Sequence, residues 1–573
     1  MADSSTSLQR IARLAGAILL VAGGAYLFVV GLGTYSLWDP WEPRYAEAVR
    51  EMSARGDYLT PYLGGRVRWT KPILVYWAML VTTSLGGDTE FAARLPSALA
   101  AIGCLLIVYV VVGRLRGYLV GFIAAAILAT IPQFYFMARQ AMPDMLLTLG
   151  TTSALGFAAL GLLQENPRRS DWLFAYAGLA VAVLAKGPVA GVIVLTCLAV
   201  FWLLEGAPWP VATGAPRTAA VSHSARHLVA KTHLFAGTGV FLLIAGPWYL
   251  GMLQEHGYTF VDSFIRGENL HRFAEPVRGL RGDVTYYLRT MAHGMYPWSA
   301  FLPLGLLLCF TAGDAGRADM SQRRFFAAWL VAVLLVFTTA GSKLEHYILP
   351  LTPAVAILAA FVWEEFLRGP KPTWFSALWV LSIPLALLPV RDFLIQTPEY
   401  VLDSFSPRDQ FVGTADGAVW RFAVAWALVM LLALVWRRSR LVVALALVVT
   451  TANAAYMSHV VLPRQESVRT LRAYVDRYQA NADDRSVLIH YGALYHSVVY
   501  YAGADGFHHF DGDALEPLLR FLADKEDVFI IAHEDLTAEL ARRLEAARGA
   551  PWHLLSEKHP RFVLLSAQRP VPD

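Results

Sequence analysis

Thirteen apolar stretches, most close to the ~20 residues a helix needs to cross a bilayer's hydrocarbon core, dominate the first 460 residues. They fall near 11–33, 93–112, 118–138, 145–163, 171–186, 188–204, 233–254, 294–312, 325–341, 348–367, 373–390, 417–436 and 440–458. Inside a bilayer each backbone N–H and C=O must be satisfied by the protein itself, so such a series leaves a polytopic α-helical membrane protein as the fold. Composition agrees. Hydrophobic residues make up 56% of the 573 and charged residues 16%, against about 25% charged in a soluble domain. A net charge of +4 with no basic surface concentrated in one place excludes a nucleic-acid partner. Cys104, Cys197 and Cys309 each sit in an apolar run, so neither a disulfide framework nor a zinc knuckle is indicated.

Charge in the short loops sets the orientation, because cytoplasmic loops hold the excess of Lys and Arg. Alternate loops are basic: Arg10 and Arg13; Arg114 and Arg116; Arg168 and Arg169; Arg217, Arg226 and Lys231; Arg317, Arg323 and Arg324; Arg368 and Lys371; Arg437, Arg438 and Arg440. The N-terminus is therefore expected in the cytoplasm, and an odd number of spans leaves the C-terminus outside. Pro72 to Gly87 is apolar but short for a span, and counting it would invert every later loop; it is expected as a re-entrant or interfacial helix. The division that follows is a membrane unit over 1–460, with 34–92 as its first periplasmic loop, and a periplasmic α/β unit over 461–573. In the latter, strands are expected at Ser486–Tyr491, Val498–Tyr501, Val528–Ala532 and Phe562–Ser566, between helix-periodic segments at Glu516–Lys525 and Asp535–Ala547.

Polar residues gather on the outer side of this topology. The first loop carries Asp39, Glu42 and Arg44, with Pro43 suited to a helix's first turn and Gly56 to its stop. Lys71 precedes Pro72. Arg139 and Asp144 mark the outer end of the third span, and Lys186-Gly187-Pro188 turns between the fifth and sixth. Glu268, His271 and Arg272 follow the seventh, and Lys343, Glu345, His346 and Tyr347 lie between the ninth and tenth. Ionisable groups at membrane level are expensive and face a cavity or a partner. Lysine, arginine and tyrosine there suit a lipid phosphate, and a carboxylate beside them suits a general base. Together they point to a transferase that uses a lipid-phosphate-linked group. A lipid-linked-saccharide flippase or transporter is the competing class, but spans 93–112, 118–138 and 233–254 are nearly free of interior charge.

Several segments carry a family resemblance. Trp38-Asp39-Pro40-Trp41-Glu42-Pro43-Arg44-Tyr45-Ala46-Glu47, Gly56-Asp57-Tyr58-Leu59-Thr60-Pro61 and Lys71-Pro72 resemble the first-loop signature of polyprenyl-phosphate-sugar glycosyltransferases. More specifically they resemble the lipid A aminoarabinose transferases, relatives of the protein O-mannosyltransferases. Ala93-Arg94-Leu95-Pro96-Ser97, Met142-Pro143-Asp144, Lys186-Gly187-Pro188, Glu268-Asn269-Leu270-His271 and Ser342-Lys343-Leu344 with Tyr347-Ile348-Leu349-Pro350 continue it in order.

The resemblance implies a GT-C architecture in the bacterial inner membrane. It also implies inverting transfer of a sugar from undecaprenyl phosphate to a periplasmic acceptor, either lipid A or another glycolipid, with protein O-glycosylation as the alternative. By it, Asp39 or Glu42 supplies the catalytic carboxylate. Lys71, Arg44, Lys343 and Tyr347 bind the donor phosphate, and Asp144, Arg139, Glu268 and His271 position substrate. The family's catalytic Asp falls on Trp41, and Thr70 stands where a metal-binding Glu is frequent. Whether a divalent ion joins the site is left open, and a monomer is expected.

Overall fold

The computed structural model describes residues 2–205, 231–271, 284–311, 317–368, 373–395, 416–436, 440–503, 506–548, 552–559 and 561–567. Arg217, Arg226, Arg272, Lys371, Arg437 and Arg438 lie outside them. A bundle of long apolar helices fills the first 460 residues. Seven are long and apolar enough to cross a membrane: Ser7–Val29, Glu90–Arg116, Asp144–Leu163, Leu234–Asn269, Ala318–Thr339, Glu345–Arg368 and Arg440–Arg464. Counting one bent pair as a single span makes eight. The protein is therefore a multi-pass membrane protein, with seven or eight such spans among the described residues and shorter apolar helices at Leu74–Gly86, Val189–Glu205, Trp298–Leu307, Phe375–Ala386 and Arg421–Val435.

Two of the expected spans differ in a way their prolines explain. The run at 118–138 is two helices, Tyr118–Thr130 and Pro132–Ala138, bent by 71°. Pro132 lacks the N–H that would continue the first helix, and its ring collides with the preceding turn. The run at 294–312 breaks likewise. A helix over Tyr286–Gly294 is followed, beyond Pro297, by a 3₁₀ turn at Trp298–Phe301 and a short helix at Leu302–Leu307.

Small residues bring two helices together. Asp144–Leu163 and Arg169–Lys186 are joined by a short connection and pack side by side. A Cβ on Gly150 would stand 2.5 Å from the Ala182 nitrogen, and one on Gly178 would stand 2.6 Å from the Ala154 nitrogen. Only glycine permits an approach this close. The hairpin puts the start of one helix, Asp144, beside the end of the other, Lys186. At its far end Arg114 holds Asp171 through two bonds of 2.6 and 2.8 Å. That end also gathers Arg323 on Glu365 at 2.6 Å and Arg368 on Glu364 at 2.5 Å. Ion pairs thus close the helix ends opposite Asp144.

The first loop is ordered throughout. Its helix runs Glu42–Arg55, with Pro43 in the first turn and Gly56 at φ 66° closing it. Strands β1 (Tyr62–Leu63) and β2 (Arg66–Val67) pair across Gly64-Gly65, both at positive φ, as a two-residue hairpin turn requires. The helix Leu74–Gly86 follows. Its 13 residues rise about 20 Å, short of the ~30 Å hydrocarbon core.

Beyond residue 470 the chain forms one five-stranded sheet. Strands β3 (Val487–Tyr491), β4 (His508–Phe510), β5 (Val528–His533), β6 (His553–His559) and β7 (Phe562–Ser566) lie in the order β4-β3-β5-β7-β6. β3 runs parallel to β4 and β5, whereas β7 is antiparallel to β5 and β6. Alternate residues feed two cores. Ile489, Ile530 and Leu565 pack on Leu540 and Leu544, while Leu488, Phe529 and Leu564 pack on Tyr474 and Val475. The segment Val498–Tyr501 is helix rather than strand, within His496–Ala502. Its β-branched pair, Val498 and Val499, is buried, and tertiary docking against the first loop overrides strand propensity.

Candidate functional site

Four segments converge around Asp144. Its carboxylate lies 2.5 Å from the Lys186 ammonium, and both are nearly excluded from solvent. The Lys186 Nζ also sits 4.5 Å above the Tyr347 ring. Lys71 and His346 are close enough to act electrostatically on Asp144. The His346 ring packs against Tyr347 at 5.1 Å and stands edge-on to Trp41 at 6.1 Å. Arg44 covers the other part of Trp41, 5.5 Å from the ring centroid. Below it Arg68 donates to the Arg44 carbonyl at 2.9 Å and to Thr70 Oγ1 at 3.0 Å. Lys71 donates to the Thr70 carbonyl at 2.9 Å and remains half-buried. The product is a cluster of Lys71, Lys186 and Tyr347 around one ion-paired carboxylate. An ester of phosphate matches that charge pattern.

The first-loop carboxylates face elsewhere. Glu42 is fully buried and accepts four hydrogen bonds. Oε1 takes Arg94 Nε at 2.8 Å and the Ala141 N–H at 2.7 Å; Oε2 takes Arg94 Nη2 at 2.7 Å and the Trp38 N–H at 2.8 Å. Arg94 spends its remaining donors on the carbonyls of Leu32, Tyr35 and Ser36 at 2.7–3.0 Å. Asp39 turns toward the C-terminal sheet unit. Its Oδ1 accepts the Ser497 N–H at 3.0 Å, and its own N–H donates to the Arg469 carbonyl at 2.8 Å. Its Oδ2 is buried without a hydrogen-bond partner among the described residues. Around it Leu37 N–H donates to Tyr501 OH, Arg50 to the Tyr500 carbonyl, and Arg472 to Glu90 at 2.6 Å.

Burial raises the Asp39 carboxyl to about 7, against the opposing pull of Ser497 and Arg44. A carboxyl with a raised folded pKa holds its proton more tightly folded than unfolded. Its contribution is therefore full below the ordinary value of 3.8 and is lost as pH rises to about 7. Asp39→Asn removes that dependence while keeping an acceptor for Ser497. Hydrogen exchange at the Ser497 amide, corrected for its intrinsic rate, is expected to lose protection between about pH 4 and 7 in the wild type relative to Asp39→Asn. Glu47, also raised to about 7 by burial, is present in both proteins and cancels. Parallel profiles would refute the docking role.

The other expected residues divide. Arg139 is buried and caps the end of the first long helix, donating to the carbonyls of Leu27, Val30 and Gly31 at 2.8–3.0 Å. Lys343 donates to the carbonyls of Thr338 and Ala340 at 2.7 and 3.1 Å, and lies 5.7 Å over the Tyr287 ring. Glu268 and His271 fall in the segment Val261–His271, half-buried and exposed respectively. That segment comes close to Lys186 at Gly187, where a Cβ would stand 3.1 Å from Asn269 Oδ1. Among the described residues no three His, Cys, Asp or Glu side chains are arranged to hold a metal ion. Arg94 is the residue that sequence reasoning passed over. The signal was present: an arginine four residues into a 27-residue membrane helix demands a buried partner.

Comparison with known proteins accords with this architecture. The family described as Dolichyl-phosphate-mannose-protein mannosyltransferase matches residues 70–250. The undecaprenyl phosphate-alpha-4-amino-4-deoxy-L-arabinose arabinosyl transferase of Yersinia enterocolitica is 28% identical over 357 residues, 62% of this chain and 60% of that protein. Its counterpart from Edwardsiella ictaluri is 30% identical over 354 residues, 61% and 59% of the two chains. The chain thus matches about three fifths of the length of these curated relatives. The crystal structure of ArnT from Cupriavidus metallidurans bound to undecaprenyl phosphate superimposes with a TM-score of 0.73 at 21% identity, covering 96% of this chain and 98% of that one. In sequence the chain is similar to these aminoarabinose transferases over about three fifths of its length, and in fold it shares the GT-C architecture of ArnT.

Proposed function

We propose that this protein is a glycosyltransferase of the bacterial inner membrane. In this reading it moves a sugar from a polyprenyl phosphate carrier to an acceptor at the periplasmic face, and lipid A or another glycolipid is that acceptor. The observation that carries it is the cluster in which Lys186, held on Asp144 at 2.5 Å, lies over the Tyr347 ring with Lys71 in electrostatic reach of Asp144. The undecaprenyl phosphate that the relatives are named for, and that ArnT from Cupriavidus metallidurans binds, supports this donor class.

The chemistry follows from charge. As the anomeric C–O bond breaks, negative charge grows on the departing phosphate. Two ammonium groups fixed before the reaction stabilise it without reorganisation. Lys71 and Lys186 take that role, with Arg44 at the rim and Tyr347 stacked on Lys186. Asp144 is a positioning residue that acts through Lys186. In this assignment Glu42 and Asp39 anchor the loop, Glu42 through Arg94 and Asp39 through Ser497. Arg139 and Lys343 cap helix ends, and Glu268 and His271 lie in the segment that meets Gly187 through Asn269. The sheet unit beyond residue 460 is assigned to the periplasm, on the same side as the first loop it grips.

The test is transfer by the purified full chain in lipid nanodiscs, supplied with undecaprenyl phosphate-linked aminoarabinose and lipid A. Mass spectrometry is expected to show sugar on lipid A and released undecaprenyl phosphate. Sugar on co-supplied envelope protein instead would favour the protein mannosyltransferase relationship of residues 70–250. No transfer to lipid or protein from aminoarabinose- or mannose-loaded carriers would sink the proposal.

A further inference from the structure

Where the last span ends, the chain walls a cavity. Its volume is about 530 Å³, and Arg464, Glu466, Ser467, Arg472, Tyr474 and Asp476 are among the residues that line it. Small-molecule sites fall at about 300–1,000 Å³. Arg464 closes the span Arg440–Arg464. Arg472 reaches Glu90, the first residue of the span Glu90–Arg116, at 2.6 Å. The cavity therefore lies level with the ends of two membrane-crossing helices, where hydrocarbon gives way to lipid headgroups.

Its charges are of both signs. Two guanidinium groups and two carboxylates line it, and Glu466 is engaged with the first loop, accepting the Ser36 N–H at 3.1 Å and the Ser36 hydroxyl. Arg472 and Asp476 stand 3.4 Å apart with side chains 39% and 57% exposed, and Arg464 and Ser467 are exposed too. An anion alone would meet Asp476 as well as the arginines. A zwitterion answers both signs: a phosphodiester accepts from guanidinium groups, and an ammonium donates to a carboxylate. A primary ammonium brings three donors for that purpose, whereas a trimethylated one brings none.

The geometry points to this cavity as a binding site for the phosphoethanolamine headgroup of a membrane phospholipid, with its phosphodiester on Arg464 and Arg472 and its ammonium on Asp476. The acyl chains run back along the membrane helices. The wall of the cavity is also the strap that grips the first loop, through Glu466 on Ser36 and through the Arg469 carbonyl, which accepts the Asp39 N–H at 2.8 Å. A bound headgroup braces that strap, so the lipid holds the sheet unit onto the first loop. This binding is independent of any transfer of sugar.

The experiment titrates the delipidated full chain in detergent with phosphatidylethanolamine, phosphatidylcholine and phosphatidylglycerol of the same acyl chains, and with inorganic phosphate. Native mass spectrometry reads what stays bound. Phosphatidylethanolamine is expected to be held about tenfold more tightly than the other two lipids, and inorganic phosphate is expected not to displace it. Ala473, exposed on the helix Arg472–Asn481, also lines the cavity, so Ala473→Phe fills the space and keeps every charge. That variant should lose the lipid while melting as the wild type does without it. Arg464→Gln combined with Asp476→Asn should weaken binding about tenfold. A further measurement needs no variant to fold: phosphatidylethanolamine carrying a photoreactive headgroup should label the wild type within residues 463–476. Phosphatidylcholine or phosphatidylglycerol held as tightly, displacement by inorganic phosphate, undiminished binding by either variant, or labelling confined to other segments would each overturn the assignment.

Discussion

Asp144→Asn and Lys186→Met are each expected to cut kcat/KM by about 10²–10⁴-fold, and the double variant to be little worse than either. The pair is nearly dry, with side chains 2% and 8% exposed at 2.5 Å. Removing one partner of such a pair typically costs about 3–5 kcal/mol, because the other charge is left buried without compensation. Each 1.36 kcal/mol is about a factor of ten in rate, so a cost of that size expressed in the transition state gives the stated loss. The double variant removes both charges, so it adds little. A double-mutant cycle on kcat/KM reads the coupling directly. Independent, multiplying losses would mean that Asp144 and Lys186 act on the reaction separately.

The pairing shows what the chain disclosed and what it withheld. Lys71, Lys186, Asp144 and His346 all stand out in the sequence as ionisable residues at membrane level, and the cost of burying charge makes them conspicuous. Their meeting is legible too, in hindsight of geometry. Helices of 20 and 18 residues joined by a short connection form a hairpin, and a hairpin places the first residue of one beside the last of the other. Gly56 as a stop and the short helix after Pro72 could likewise be read directly. Side-chain direction could not. Asp39 and Glu42 are three residues apart, yet one binds Ser497 and the other Arg94, and neither partner is implied by local spacing. The breaks at Pro132 and Pro297 were written in the sequence, but hydropathy windows average over a proline and miss them. Val498–Tyr501 misled in the opposite sense, since its β-branched residues serve a docked helix.

The Glu42–Arg94 lock carries the second large expectation. Arg94→Met should destabilise the protein by about 3–5 kcal/mol, since it strands a fully buried carboxylate. It also deprives the carbonyls of Leu32, Tyr35 and Ser36 of their donor. Glu42→Gln should cost less, about 1–3 kcal/mol, because the amide keeps one acceptor oxygen but turns its NH₂ toward donors from Arg94 and the backbone. Combining Arg94→Met with Glu42→Met removes both charges and should recover part of the loss, though the Trp38 and Ala141 N–H groups stay unanswered. Thermal unfolding in detergent measures the order, and limited proteolysis over residues 34–70 locates the damage in the first loop. Kinetics then separates anchor from base. If Glu42 took the acceptor's proton, Glu42→Gln would keep its melting temperature and lose turnover, and the anchoring role would fall. As an anchor, Glu42→Gln should lower the melting temperature while the fraction still folded turns over within about tenfold of wild type, a smaller loss than the ~10²-fold or more that removing a general base brings.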